Sequence, residues 1–321
     1  MKAEGTARLW FFFDVGDRIR VNDLTWPGGE GMRPAVETSP DSDTRVLFYE
    51  CGVIGVEYRW SFSLEWPGLV ASAAQWITAN GKEPAARAQM LRSLEKVKSA
   101  LERPYNNLLS EEYLVLQIEN RDAAALLDGH ASEIASILRG ESQPLSQGET
   151  AEALKAAISF FPDDLVVAGW ACAFVCGGKD TTIDLLAYAN VQLLEFRHYD
   201  AQLTDVLASA YGDVRRWRRW SLRSKAEELN GLLIDIREST ERIDNAVKFL
   251  SDTYAARLYR LAAQRIGVDG YRRLVEAKYA TAREVYQFMI DQFHHTRAFV
   301  LEAMVVVILL IELYYLLSGK R

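Results

Sequence analysis

The chain has 321 residues, 49% hydrophobic and 25% charged, with a formal charge of −7, the profile of an ordinary globular protein. The charge is uneven: residues 1–211 hold 18 Lys and Arg against 30 Asp and Glu, whereas residues 212–299 hold 17 against 12. An acidic front repels a phosphate backbone and disfavours non-specific nucleic-acid binding there, while the basic segment behind it suits anionic lipid or RNA.

The N-terminal residues Met1 to Arg8 carry neither the apolar core of a signal peptide nor the character of a transit peptide. Strand candidates follow at Leu9 to Phe13 and Val46 to Cys51. The clearest strand runs from Val56 to Trp66, where Val56, Tyr58, Trp60, Phe62 and Leu64 alternate with Glu57, Arg59, Ser61, Ser63 and Glu65, the period of a strand that buries one face. Tyr113 to Ile118 and the apolar run Leu165 to Cys176 complete the strand set. Helical stretches are expected over Pro84 to Glu102, Asp122 to Leu138 and Glu149 to Phe160, with surface loops at Trp26 to Asp43 and Gly140 to Gly148. The sum is an α+β domain with helices on a mixed or antiparallel sheet, assigned to residues 1–178. Cys51, Cys172 and Cys176 fit neither a redox pair nor a zinc knuckle, and are expected to be buried small hydrophobes.

All eight prolines lie at or before Pro162, so the second half is free to form long helices. Residues 179–297 are expected to be a helical, coiled-coil-like domain. Within it Arg215, Arg216, Arg218, Arg219, Arg223 and Lys225 surround Trp217 and Trp220, a composition that suits an anionic lipid surface or RNA, with burial of the tryptophans and pairing of the arginines as the plainer reading. From Tyr271 to Ser318 there is no Gly or Pro, and Val275, Tyr279, Ala282, Tyr286, Met289, Phe293, Thr296 and Val300 follow alternating steps of four and three. That stripe suits either a coiled-coil seam or one helix packed on its own domain.

Phe299 to Leu317 contains thirteen Leu, Ile, Val or Phe residues, and residues 298–318 are expected to form a C-terminal transmembrane helix. Ala298, Glu302, Val305, Leu309, Glu312 and Leu316 share one side of it, a face on which identical helices could assemble as a homo-oligomer. A single-pass tail anchor in a bacterial plasma membrane, with the bulk of the protein cytoplasmic, follows as the expectation; the alternative is a mitochondrial inner membrane, facing the matrix. No hydrolase elbow, zinc-protease, P-loop or dinucleotide pattern occurs, so neither a catalytic site nor a cofactor or metal is expected.

Leu193 to Asp200, reading LLEFRHYD after Tyr188, Ala189 and Asn190, resembles the "required for meiotic nuclear division" family, a domain of unknown function. DDLVVAGWACAFV from Asp163 to Val175 and RAFVLEAMVVVILLIEL from Arg297 to Leu313 strengthen the resemblance, which covers roughly residues 150–317. It implies a bacterial-type member of a membrane-bound, self-associating family without known catalysis, whose mitochondrial relatives support translation by tethering ribosomes or their partners. A scaffold or tether is therefore expected, with an RNA- or ribosome-binding factor and an enzyme of unrecognised site as alternatives. Within the motif, Glu195 with Tyr199 and Arg197 with Asp200 are helical neighbours, and with Asn190 they are expected to form a structural network.

Overall fold

The computed structural model describes the chain except residues 1, 28–31, 39–42, 79–80, 120–121, 179, 216–221, 249–252, 318 and 320–321, and the side chains of 210–215, 222–225, 243–244, 246–248, 292–300, 315 and 317. It divides into two compact units: one comprises residues 1–198 and 241–272, the other 199–240 and 273–321.

The first unit is α+β, as its alternating and helical patterns predict. Its strands are β1 (Lys2–Asp14), β2 (Gly16–Ile19), β3 (Ala35–Thr38), β4 (Thr44–Phe48) and β5 (Val53–Glu65), followed by α1 (Trp66–Thr78) and α2 (Glu83–Val97). Then come β6 (Leu101–Pro104), β7 (Ser110–Ile118), α3 (Ala123–Arg139), α4 (Gln147–Leu154), β8 (Ala157–Ile158), β9 (Leu165–Ala168) and β10 (Cys172–Cys176). Eight strands form one mixed sheet in the order β3-β4-β5-β1-β7-β10-β9-β8, and β2 pairs with β6 separately. Only the β7–β10 pairing of the large sheet is parallel.

One face of β1 and β5 carries Leu9, Phe11, Phe13, Ile54 and Val56, all at most 1% exposed, in a core shared with Leu69, Met90 and Ile137 of the overlying helices. The other face carries Arg8, Trp10, Phe12 and Glu57, since successive residues of a strand point to opposite sides. It is buried too, because α5 (Asp180–Arg215) brings residues such as Asp184, Arg197 and His198 against it. Gly52 makes the turn into β5 feasible: its φ is +82°, and a Cβ there would lie 1.7 Å from the Gly16 carbonyl oxygen.

Expected elements shift at their ends for local reasons. Asp122 caps α3 from outside, accepting from the Ala125 amide at 2.9 Å, and Gly140 closes that helix in the left-handed region. The run Leu165 to Cys176 is two strands, β9 and β10, with Gly169 between them. Cys172 and Cys176 are buried and Cys51 is partly buried, all three as free thiols.

The second unit contains the end of α5, most of α6 (Leu222–Lys248) and most of α8 (Val268–Leu317); α7 (Thr253–Ile266) belongs to the first unit. Buried positions recur at helical spacing, with Leu229, Leu233 and Ile236 on α6 and Val275, Ala282 and Met289 on α8. Of the described part of the four-three stripe, Val275, Ala282 and Met289 are buried and Tyr279 and Tyr286 partly buried; Phe293, Thr296 and Val300 lie among the side chains outside the description.

The expected membrane anchor is corrected: among the described residues no helix is long and apolar enough to cross a membrane. The described side chains of α8 from Leu301 to Tyr314 form a mostly apolar run. That run also carries Glu302 and Glu312, both exposed. The C-terminal transmembrane helix over 298–318, the tail anchor and the single-pass placement in a bacterial plasma or mitochondrial inner membrane fall together with that expectation. Val305, Leu309 and Leu316 are exposed side chains of α8, 55%, 57% and 81% accessible, and the Ala298 side chain lies outside the described set.

Candidate anion-binding site

The outer face of the β1–β5–β4 sheet holds a concentration of charge that its sequence pattern did not announce. Strand register puts Arg8 directly opposite Arg59, and Glu57 opposite both Trp10 on β1 and Arg45 on β4. Like charges directly across an antiparallel pair are destabilising. Glu57 offsets part of that cost, its Oε1 lying 3.1 Å from Arg8 Nη1 with the two side chains 7% and 4% exposed. Arg8 Nη2 also donates to Gln117 Oε1 at 3.4 Å.

These residues line a cavity of about 410 Å³ beneath the first turns of α5, where Arg8, Arg33, Arg45 and Arg59 meet Glu57, Asp180 and Asp184. Arg33, an exposed side chain, reaches the partly buried Asp184 at 3.7 Å, too far and too solvated on the arginine side to contribute much. Among the described residues neither Arg45 nor Arg59 has an ion-pair partner. Among the described lining residues, four arginines against three carboxylates leave a formal excess of one positive charge.

Burial is the leading influence on the titratable groups around the cavity. Arg59 is held below its ordinary value by burial first, and then by Arg8 and Arg45. Asp184 is raised by burial, with Asp180 adding to the shift and Arg33 and Arg8 opposing it. Burial, followed by Asp184 and Glu57, pushes the Tyr49 phenol well up, so it stays a hydroxyl donor. Among the described residues, three donors on lining residues, Arg8 Nε, Trp10 Nε1 and the Tyr49 hydroxyl, are buried without a partner. Unpaired buried donors are uncommon because each forfeits its hydration, and three on residues that line one cavity suit an anion with several oxygens.

The motif residues lie elsewhere. Asn190 is 2% exposed and donates from Nδ2 to the Leu186 carbonyl at 2.9 Å, an intrahelical bond. Glu195 is buried on α5 and Tyr199 is partly buried. Arg197 pairs with Glu111 on β7, whereas Asp200 pairs with Lys278 of α8 at 2.6 Å, so these two charges engage other elements of their own units. His198 was passed over: its Nδ1 lies 2.8 Å from the Asp14 carboxylate, and the Tyr105 ring stacks on it at 4.0 Å. Burial raises Asp14, while the hydrogen bond and charge of His198 oppose the shift.

Of the basic cluster, Arg216, Trp217, Arg218, Arg219 and Trp220 lie outside the described residues, as do the side chains of Arg215, Arg223 and Lys225. Nothing in the strand alternation separates Glu57 and Arg59 from solvated positions. The apolar run Leu9 to Phe13 on the neighbouring strand carried the available signal, because five apolar residues in succession require both faces to be covered.

No solved structure matches the chain. An uncharacterized protein of Methanocaldococcus jannaschii, MJ0711, is 20% identical over 206 residues, covering 62% of this chain. The chain spans 63% of that relative's length. Residues 31–182, which run from before β3 to the start of α5 and contain Arg33, Arg45, Glu57, Arg59 and Asp180, match the model of the family described as "Uncharacterized protein MJ0711, N-terminal domain".

Proposed function

We propose that the chain is a non-catalytic binding protein whose α+β unit holds a small anion bearing phosphate or carboxylate groups. The observation that carries this reading is the Arg8–Arg59 juxtaposition, with Arg45 beside it and Glu57 as the carboxylate between them. A fold gains nothing from placing like charges opposite one another on a covered sheet face, whereas an incoming anion converts that repulsion into attraction. Binding rather than nucleophilic chemistry is supported by the thiols, since burial raises Cys172 and Cys51 and so disfavours the reactive thiolate.

Self-association of the chain as a scaffold is supported by the apolar side chains that α8 leaves exposed, Leu301, Val306 and Leu310 among them. The resemblance of LLEFRHYD to the "required for meiotic nuclear division" family, in its bacterial form, supports the same tethering role. Isothermal titration of the full chain with pyrophosphate, succinate and a uridine dodecamer tests the binding reading. A saturable heat with pyrophosphate or succinate, weakened about tenfold by Arg45→Gln, is expected. Absence of binding by both small anions, or affinity unaltered by Arg45→Gln, would overturn it, and saturable binding of the RNA alone would replace it with a nucleic-acid partner.

A further inference from the structure

The floor of the arginine-lined cavity changes character along the strands. Register sets three rows of side chains across it, about 7 Å apart because every second residue of a strand faces the same way. The first row pairs Arg8 with Arg59, and the second runs from Trp10 through Glu57 to Arg45. In the third, Leu47 stands between Gly55, which has no side chain, and Val36, so the floor there is apolar. The roof is one face of α5, where Asp180, Ile183, Asp184 and Ala187 recur at helical spacing. Asp184 acts electrostatically on Arg8, Glu57 and Tyr49, which sets its carboxyl over the middle of the floor.

The arginine end has more donors than a carboxylate can use. Arg45 and Arg59 have no ion-pair partner among the described residues, and Arg8 Nε and Trp10 Nε1 are buried without one. Two carboxylate oxygens cannot engage so many N–H groups, whereas a phosphomonoester presents three terminal oxygens and a second charge. Asp184, met only by Arg33 at 3.7 Å, keeps lone pairs for a ligand hydroxyl. Leu47 and Val36, about 7 to 13 Å along the strands from the arginine rows, offer aliphatic surface below the buried Ile183. The cavity thus asks for an anion, a hydroxylated link and an apolar body, in that order, and its volume of about 410 Å³ is that of a small-molecule site.

We infer that the cavity binds a nucleoside 5′-monophosphate, which rests on the anion-binding reading above and names the ligand of that site. The phosphate sits between Arg45 and Arg59, the ribose hydroxyls donate to Asp184, and the base lies between Leu47 and Val36 on the floor and Ile183 on the roof.

Titration of the full chain tests it with adenosine and uridine 5′-monophosphates, the 2′,3′-dideoxy form of each, ribose 5-phosphate and pyrophosphate. The tighter nucleotide is expected to bind about tenfold better than ribose 5-phosphate, which has no base to bury, and about fivefold better than its own dideoxy form. Asp184→Ala makes that nucleotide and its dideoxy form equal. Val36→Ser weakens the nucleotide about threefold and leaves ribose 5-phosphate unchanged, and Arg59→Gln weakens every phosphate probe about tenfold. Thermal melting checks each variant for folding; were Asp184→Ala unfolded, Val36→Ser and Arg59→Gln would decide. Pyrophosphate that binds while neither nucleotide exceeds ribose 5-phosphate would overturn this inference and leave the anion site standing. Nucleotide affinity untouched by Arg59→Gln, or a hydroxyl preference that survives Asp184→Ala, would overturn it as well. So would the absence of binding by every phosphate probe, and succinate would then decide the anion-binding reading by itself.

Discussion

Arg8 and Arg59 face one another across β1 and β5, and Glu57, bonded to Arg8 at 3.1 Å, is the carboxylate that makes the arrangement tolerable. Removing one partner of a buried ion pair leaves the other charge uncompensated, which costs about 3–5 kcal/mol. Glu57→Gln should therefore lower the stability of the α+β unit by that order in urea unfolding. Replacing both partners, Arg8→Met with Glu57→Leu, should cost much less. A Glu57→Gln loss below about 1 kcal/mol, the scale of a surface pair, would show that Glu57 does not balance the arginines.

A pH dependence follows from Asp184. Burial raises its folded pKa above the ordinary carboxylate value, with Asp180 adding to the shift. A group shifted this way contributes stability in full below its unfolded pKa, about 3.9, and that contribution is lost as pH rises through the folded value. Asp184→Asn removes the titration, so the variant's melting temperature should fall less than the wild type's, or rise more, between about pH 4 and pH 7. Parallel profiles for the two proteins would contradict the assignment.

Thiol chemistry offers a separate check on the packing of β10. Cys172 and Cys176 are both 0% exposed, so neither is open to reagent, and burial pushes the Cys172 thiol up. With an aromatic disulfide reagent at neutral pH, these two should react only at the rate at which the sheet opens, leaving at most Cys51 for any faster phase. Immediate reaction of all three thiols would mean that β10 is not the interior strand it forms between β7 and β9.

The second unit is tied together in part by Lys278, which ion-pairs with the Asp200 carboxylate at 2.6 Å and donates to the Thr204 hydroxyl at 2.6 Å and to the Asp200 carbonyl at 3.3 Å. Lys278→Met should cost about 1–2 kcal/mol, read from the melting of the full chain, because a charge-assisted bond is lost on each of two α5 groups. No change would place these bonds among the surface pairs that contribute nothing measurable.

The sheet was legible where chemistry repeats along one strand. Val56 to Leu64 alternates because one face of β5 packs on the helices, and the structure extends that strand to Val53–Glu65. Its other face was not legible, because Glu57 and Arg59 read as solvated until α5 is laid over them, and that contact joins residues far apart in the chain. The helix α1 was missed because it begins at Trp66, directly after the strand; Pro67, in its first turn, was the cue to a helix start. At the C-terminus, apolar content set against two acids suggested a membrane span, but among the described residues no helix is long and apolar enough to cross a membrane. His198 stood inside the quoted motif and gave no sign of its partner, since Asp14 lies at the far end of the sequence.

The most direct test of the arginine site couples two readouts on one variant. Arg59→Gln removes the like charge opposite Arg8, so its urea midpoint should rise by the equivalent of about 0.2–1 kcal/mol. Its affinity for pyrophosphate should fall about tenfold in the same preparation. A variant both more stable and weaker in binding would mark a position kept for its ligand at the expense of the fold. A variant that is less stable, or that binds pyrophosphate as tightly as the wild type, would contradict the account.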